Sequence, residues 1–292
     1  MRVPVLTAEG ERVFGSPLDG PPALGGGALA AKPTSVFFPQ EEELFTIGSE
    51  GPMHSSPAEK PLFAAGFTPR DLLCLGFIDR FFADGHRDDI YFRRREGAVV
   101  VAASGYSGAD GGFVKLSGGE GDLEFVFDGA VWIVVPHSEA GERVAGRLPD
   151  QAPDGALAAL VAKSAGLVEE DAELVKAASE LLMKEKVPDS FWNRVAESCI
   201  QCTGCNLVCP TCTCFGVRDW RYAERVERSR MWDSCQLEGF MREASGHNPL
   251  GTEGLRPAEG SITSWRLTER SGARSAVSSA AGAMRPVPPG SG

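Results

Sequence analysis

The sequence has 292 residues, with 40 acidic and 29 basic side chains and a formal net charge of −11. This acidic balance excludes nucleic acid as the main partner, because phosphate binding requires a basic face. Hydrophobic residues make up 42% of the chain. This is enough to bury a core, so wholesale disorder is excluded too.

The apolar runs at 98–103 and 130–135 are far shorter than the roughly 20 residues that a membrane span requires. The N-terminal residues also lack the apolar core of a secretion signal. We therefore expect a cytoplasmic protein with reduced thiols and no membrane span.

The first half of the chain predicts an α/β domain over residues 1–150. Short strands are expected at VPVL, RVFG, SVFF and ELFTI, and longer ones at PLFAAGF, EGAVVVAAS and GAVWIVVP. Thr68 is placed to cap a helix that has Pro69 at its first position. Cys74 lies on that helix and is expected to be a small core residue.

Helical patterns dominate the second half of the chain. The segment 151–188 predicts a helical linker, and the helix PDSFWNRVAES is expected to lead directly into Cys199. Two further short helices are expected over 219–246, where the charges balance as on a solvated face.

Six of the eight cysteines lie between residues 199 and 214, in the run CIQCTGCNLVCPTCTC. The first four, with the proline that follows, have the spacing C-x2-C-x2-C-x3-C-P with which bacterial-type ferredoxins hold a [4Fe–4S] cluster. These four are Cys199, Cys202, Cys205 and Cys209. Thiolates about one turn apart can wrap the corners of a small cube. The spacing therefore predicts an iron–sulfur cluster site.

Two other chemistries compete for these thiols. A disulfide knot is disfavoured in a reducing compartment. Structural zinc usually uses two separated C-x2-C pairs, and a zinc-stabilised protein-binding module without redox activity is the alternative function. Four polar residues between the ligands could adjust the cluster potential, but they are expected to be solvated loop residues: Gln201, Thr203, Asn206 and Thr211. His247 is expected to cap a turn rather than to bind the cluster.

Four blocks resemble the beta subunit of sulfhydrogenases and the corresponding iron–sulfur subunit of anaerobic sulfite reductases, which are dicluster proteins. The blocks are KPTSVFFPQEEELF, AAGFTPRDLLCLGFIDRFF, FWNRVAESCIQCTGCNLVCPTCTC and WDSCQLEGFMREASGHNP. The resemblance implies that Cys199, Cys202 and Cys205 hold one cluster and that Cys209 helps to hold a second. Three further cysteines match family positions as additional or substitute ligands: Cys212, Cys214 and Cys235.

The resemblance also implies an electron-transfer subunit of an oxidoreductase complex rather than a self-sufficient catalyst. Its partners would be a flavin/NAD(P)-binding subunit and a catalytic hydrogenase or sulfite/polysulfide reductase subunit. The expected fold class is α+β: an N-terminal α/β domain, then a mainly α-helical ferredoxin-like iron–sulfur domain at 189–249. One [4Fe–4S] cluster is expected, and a second only if other cysteines replace a missing motif.

The chain departs from the family pattern at three places. Arg70 stands where family members often have a cysteine, the family's N-terminal C-x-C is absent, and no second C-x2-C-x2-C-x3-C-P follows residue 249. The tail 250–292 is expected to be either disordered or a frame-shifted version of the lost motif. Codon pairs ending at 277, 280, 283 and 287 permit shifted cysteine codons at that spacing. The nucleotide sequence distinguishes the two.

Overall fold

The computed structural model describes residues 1–24, 29–48, 50–53, 61–107, 112–148, 155–167, 172–251 and 256. These residues combine helices with sheets, which agrees with the expected α+β class. Most of the tail that we expect to be disordered or frame-shifted lies outside the described residues. Among the described residues, no helix has the length and apolar character needed to cross a membrane.

The strands and helices are numbered in chain order. The strands are β1 (Val3–Leu6), β2 (Arg12–Gly15), β3 (Glu41–Gly48), β4 (Gly51–Met53), β5 (Phe63–Phe67), β6 (Val99–Tyr106), β7 (Phe113–Val114), β8 (Leu123–Phe127), β9 (Trp132–Pro136), β10 (Phe215–Arg221) and β11 (Val226–Trp232). The helices are α1 (Pro69–Ala83), α2 (Asp89–Arg95), α3 (Glu139–Ala145), α4 (Ala156–Ala165), α5 (Ala172–Met183), α6 (Asp189–Glu197) and α7 (Gly204–Val208).

The chain divides into two compact units that are not contiguous in sequence. The first comprises Met1–Phe38 and Pro57–Glu169, and the second comprises Pro39–Ser56 and Glu170–Gly292. The second unit therefore includes residues 39–56, which the sequence analysis assigned to the N-terminal domain. The expected boundaries at residues 150, 188 and 249 stay predictions.

The first unit is built on a sheet in the order β5-β6-β8-β9, with β7 paired to β6. Strands β5, β6 and β8 run parallel, and β9 is antiparallel to β8. Strands β1 and β2 form a separate antiparallel pair. Val3 and Val5 of β1 pack against Ala65, Val101 and Leu123 of the larger sheet to form one core cluster.

Helix α1 begins where the sequence predicts. The Thr68 side chain accepts a hydrogen bond from the Asp71 backbone N–H, and the Asp71 carboxylate accepts one from the Thr68 N–H. This reciprocal capping box satisfies two backbone donors that the helix itself cannot. Cys74 is completely buried on this helix, as expected of a core residue. The predicted strand SVFF is wrong, because Pro33–Val36 forms a 3-10 turn that starts at a proline.

The second unit contains a four-stranded antiparallel sheet in the order β10-β11-β3-β4. The two short helices predicted over 219–246 are therefore wrong, since the end of β10 and all of β11 lie there. Strand β11 pairs with β3, which comes from the N-terminal part of the chain, and local periodicity cannot reveal this pairing. The described residues of this unit contain strands and helices in similar amounts.

A buried ion pair joins β3 to β11. Arg230 Nε donates to a carboxylate oxygen of Glu42, which lies 188 residues away in sequence. The two side chains are 2% and 4% exposed. The Arg230 guanidinium also lies 5.4 Å from the centre of the Phe215 ring on β10. Because both charges are removed from water, each depends on the other for compensation.

Replacement of one member of this pair is expected to destabilise the second unit strongly. Glu42→Ala leaves the buried Arg230 charge without its carboxylate and should lower the free energy of unfolding by about 3–5 kcal/mol. Urea denaturation followed by circular dichroism measures this change. Asp219→Ala is the matched control, because it removes the exposed Asp219–Arg228 pair of the same sheet and should have little effect. Equal effects of the two variants would contradict the role assigned to burial.

Candidate metal centre

Helix α6 delivers the first cysteine of the motif. The helix ends at Glu197, and the Cys199 backbone N–H donates to the Ala196 carbonyl over 3.0 Å. The side chains of Cys199, Cys202 and Cys205 are all exposed. The structure thus presents three thiols at the surface within one short segment, residues 199–205, which we call the exposed loop. Cys199 and Cys202 precede α7, and Cys205 lies in its first turn.

The loop is shaped by two residues in the left-handed backbone region. Gln201 has φ 55° and Thr203 has φ 61°, a region that is costly for residues other than glycine and especially for β-branched Thr. Gln201 lies between Cys199 and Cys202 in sequence, and Thr203 lies between Cys202 and Cys205. The Gln201 backbone N–H donates to Cys199 Sγ over 3.4 Å. Such strained positions cluster at ligand-binding loops, where the surrounding structure supports them.

The three exposed thiols influence one another electrostatically. Burial raises the pKa of Cys205, and the charges of Cys199 and Cys202 raise it further. Bringing three thiolates together is therefore unfavourable until a positively charged group lies between them. Cationic iron bound by the sulfur atoms would supply that compensation.

Cys209 has a different environment from the other three cysteines of the motif. Its side chain is 7% exposed, and its Sγ lies 3.3 Å from the Thr211 hydroxyl. A hydrogen bond from the Cys212 side chain and one from Thr211 lower the pKa of Cys209 to about 6, against the opposing effect of burial. The structure thus separates Cys209 from the exposed thiols and pairs it with Cys212.

Cys214 and Cys235 form a second pair of thiols. A hydrogen bond from the Cys214 side chain lowers the pKa of Cys235 to about 6, with smaller contributions from Asn206 and Gln236. The two cysteines flank the open end of the β10–β11 hairpin. The Asp233 N–H donates to the Cys214 carbonyl over 3.0 Å, so the strand pairing brings these two parts of the chain together.

Two of the intervening polar residues are not solvated, contrary to the sequence-based expectation. Asn206 is 8% exposed and Thr211 is 5% exposed. Buried polar groups require hydrogen-bond partners, and both side chains use cysteine sulfur. Proximity to several cysteines in sequence was the one signal that could have indicated these roles.

Asn206 connects the exposed thiols to the Cys214–Cys235 pair. Its Oδ1 accepts from Cys205 Sγ over 3.3 Å, and its Nδ2 donates to Cys235 Sγ over 3.4 Å. The Asn206 carboxamide therefore contacts one sulfur atom through its oxygen and a second through its nitrogen. Cys235 lies 29 residues from Asn206 in sequence, so cysteine spacing could not predict this contact.

The cysteines match an iron–sulfur cluster in donor chemistry, since clusters of this kind are held by thiolates; their present arrangement is not a preformed metal site. In the described part of the chain, no three Cys, His, Asp or Glu side chains form a group that could hold a metal ion. His247 has a 65% exposed side chain that lies 3.6 Å from the Glu243 carboxylate. This agrees with the surface-turn role expected of His247.

Residues 198–272 match the protein family described as a 4Fe-4S dicluster domain. The chain is also 28% identical to the sulfhydrogenase 2 subunit beta of Pyrococcus furiosus over 193 residues, which cover 61% of this chain. The chain matches 56% of that relative's length. No solved structure matches significantly. The two matches confirm the family resemblance inferred from the cysteine motif and the four sequence blocks.

Thiol accessibility can be tested by alkylation of the native, metal-free chain. Cys199, Cys202 and Cys205 should react with iodoacetamide much faster than Cys74 and Cys209, as mapped by mass spectrometry. The lowered pKa of Cys209 favours the reactive thiolate, but attack also requires access, which its burial restricts. In urea all of these cysteines should react. Alkylation of native Cys209 at the rate of Cys202 would contradict the burial of its side chain.

Proposed function

We propose that this chain, which matches a 4Fe–4S dicluster domain and a sulfhydrogenase beta subunit, is an iron–sulfur electron-transfer subunit. The observation that carries the proposal is the presentation of Cys199, Cys202 and Cys205 as exposed thiols in one loop of the matched region. Their spacing is that of a ferredoxin cluster loop. We therefore propose that this loop is the ferredoxin-like part of the second unit.

In this proposal the three exposed thiols bind a [4Fe–4S] cluster. The cluster, when bound, supplies reversible one-electron transfer at a potential that hydrogen bonds to sulfur and solvent exposure adjust. Gln201 contributes one such bond, because its backbone N–H points at Cys199 Sγ. Backbone donors of this kind stabilise the additional negative charge of the reduced site.

The remaining cysteines receive their roles from the family resemblance. Cys209 would contribute to a second cluster, with Cys212, Cys214 and Cys235 as additional or substitute ligands. Two separate thiol pairs, Cys209–Cys212 and Cys214–Cys235, support a ligand role beyond the exposed loop.

The partners follow from the same proposal. A protein that transfers electrons without binding an organic substrate requires a donor and an acceptor. We assign these roles to a flavin/NAD(P)-binding subunit and to a catalytic hydrogenase or sulfite/polysulfide reductase subunit, in a cytoplasmic hetero-oligomer of an anaerobic metabolism. The relative's name, a sulfhydrogenase subunit, supports the hydrogenase assignment.

Iron and acid-labile sulfide analysis of the anaerobically purified chain tests the proposal. About four irons and four sulfides per chain are expected for one cluster, with an EPR signal that appears after dithionite reduction. About eight irons would indicate two clusters. Bound zinc without iron or sulfide would contradict the electron-transfer function and favour the zinc-stabilised binding module.

Substitution of one cysteine locates the cluster. Cys202→Ser should abolish most of the iron content and the EPR signal, because it removes a thiolate from the exposed loop. Cys74→Ala is the control, since Cys74 is buried on α1 in the first unit, and it should keep the iron content of the wild type. Full iron retention by Cys202→Ser would contradict the assigned ligand set.

A further inference from the structure

A [4Fe–4S] cluster requires four ligands, and the exposed loop supplies three thiols. In two-cluster ferredoxins the fourth cysteine of each motif ligates the other cluster. The present sequence contains no second motif that could complete the first cluster. Four other cysteines of the second unit are described and are candidates for the fourth ligand: Cys209, Cys212, Cys214 and Cys235.

Cys209 is the obvious choice by sequence, but its surroundings disfavour it. Its sulfur is buried and is engaged by Thr211 and Cys212. Cys202 and Cys205 lie on the exposed side of the loop. To join their cluster, Cys209 would have to leave the environment that buries it.

Cys235 is in a more favourable position. Its sulfur is half-buried and contacts Nδ2 of Asn206, while Oδ1 of the same carboxamide contacts the sulfur of Cys205. The sulfur atoms of Cys205 and Cys235 thus lie within the span of one amide group and two hydrogen bonds. The β10–β11 hairpin holds Cys235 there independently of the exposed loop.

We propose that Cys235 is the fourth ligand of the cluster held by Cys199, Cys202 and Cys205, and that Asn206 positions it. This inference rests on the proposed electron-transfer function. Cys205 loses its proton when it binds iron, so its present bond to Asn206 Oδ1 cannot persist. The bond from Asn206 Nδ2 to Cys235 survives deprotonation, because it uses a sulfur lone pair.

The test uses the full chain, reconstituted anaerobically with ferrous iron and sulfide. Cys235→Ser should lower the iron content from about four to about three per cluster or less. The dithionite-reduced EPR signal should be lost, and a three-iron signal should appear in the oxidised sample. Cys74→Ala is the control, because Cys74 is buried on α1 in the first unit, and it should behave as the wild type.

Two outcomes would overturn the inference while leaving the proposed function intact. One is a wild-type iron content and EPR signal in Cys235→Ser. The other is loss of the fourth iron in Cys209→Ser with no change in Cys235→Ser. A wild-type chain that binds no iron would overturn both proposals, so the two failures are distinguishable.

A measurement on the unsubstituted chain avoids dependence on a variant that fails to fold. Cysteines are alkylated before and after the cluster is removed with a chelator, and the labelled sites are mapped by mass spectrometry. Cys235 should be protected together with Cys199, Cys202 and Cys205 in the loaded chain and should become reactive with them after chelation. Labelling of Cys235 in the loaded chain would contradict the assignment.

The midpoint potential of the cluster tests separately whether Asn206 positions Cys235. Asn206→Ala should shift the midpoint potential of the cluster to a more negative value, because it removes an N–H donor that stabilises the reduced state. Thr211→Ala is the control, since Thr211 contacts Cys209 instead, and it should leave the potential unchanged. A shift in Thr211→Ala with none in Asn206→Ala would assign the fourth ligand to Cys209.

Discussion

The pairing of β10 with β11 is the constraint on which the candidate site depends. Phe215 pairs with Trp232 at the open end of the hairpin, and Cys214 and Cys235 lie just beyond this pair. Two thiols that are distant in sequence are thereby brought within hydrogen-bond contact. Strand β3 supports the hairpin through the buried ion pair between Glu42 and Arg230. Each of these two buried charges is compensated by the other.

This arrangement makes residues from the N-terminal part of the chain a component of the unit that contains the candidate metal centre. Strand β3 lies between two segments of the first unit in sequence but pairs with β11 of the second. Folding of the candidate site therefore requires contacts of large sequence separation, which form late or slowly in general. The exposed cysteine loop depends less on them, because α6 and the local backbone turns position it.

The sequence predicted those features that depend on neighbouring residues. Thr68, Pro69 and Asp71 define the start of α1 through contacts within one helical turn, and the cysteine spacing places three thiols close together in sequence. It did not predict the strands at 215–221 and 226–232, because they pair with each other and the second also pairs with β3, which is distant in sequence. The hydrogen bond between Asn206 and Cys235 also joins residues that are distant in sequence. The residues next to each of them in sequence give no sign of this contact.

The local irregularities of the loop have a common explanation in the proposed function. Left-handed conformations at Gln201 and Thr203 and the burial of Asn206 each oppose a local preference. All three residues lie between or beside cysteines of the motif, and two of them donate hydrogen bonds to sulfur. Conflicts between local preference and native structure are expected at functional sites, where the cost is balanced elsewhere. In this loop that balance would come from the cluster, which draws the mutually repelling thiolates together.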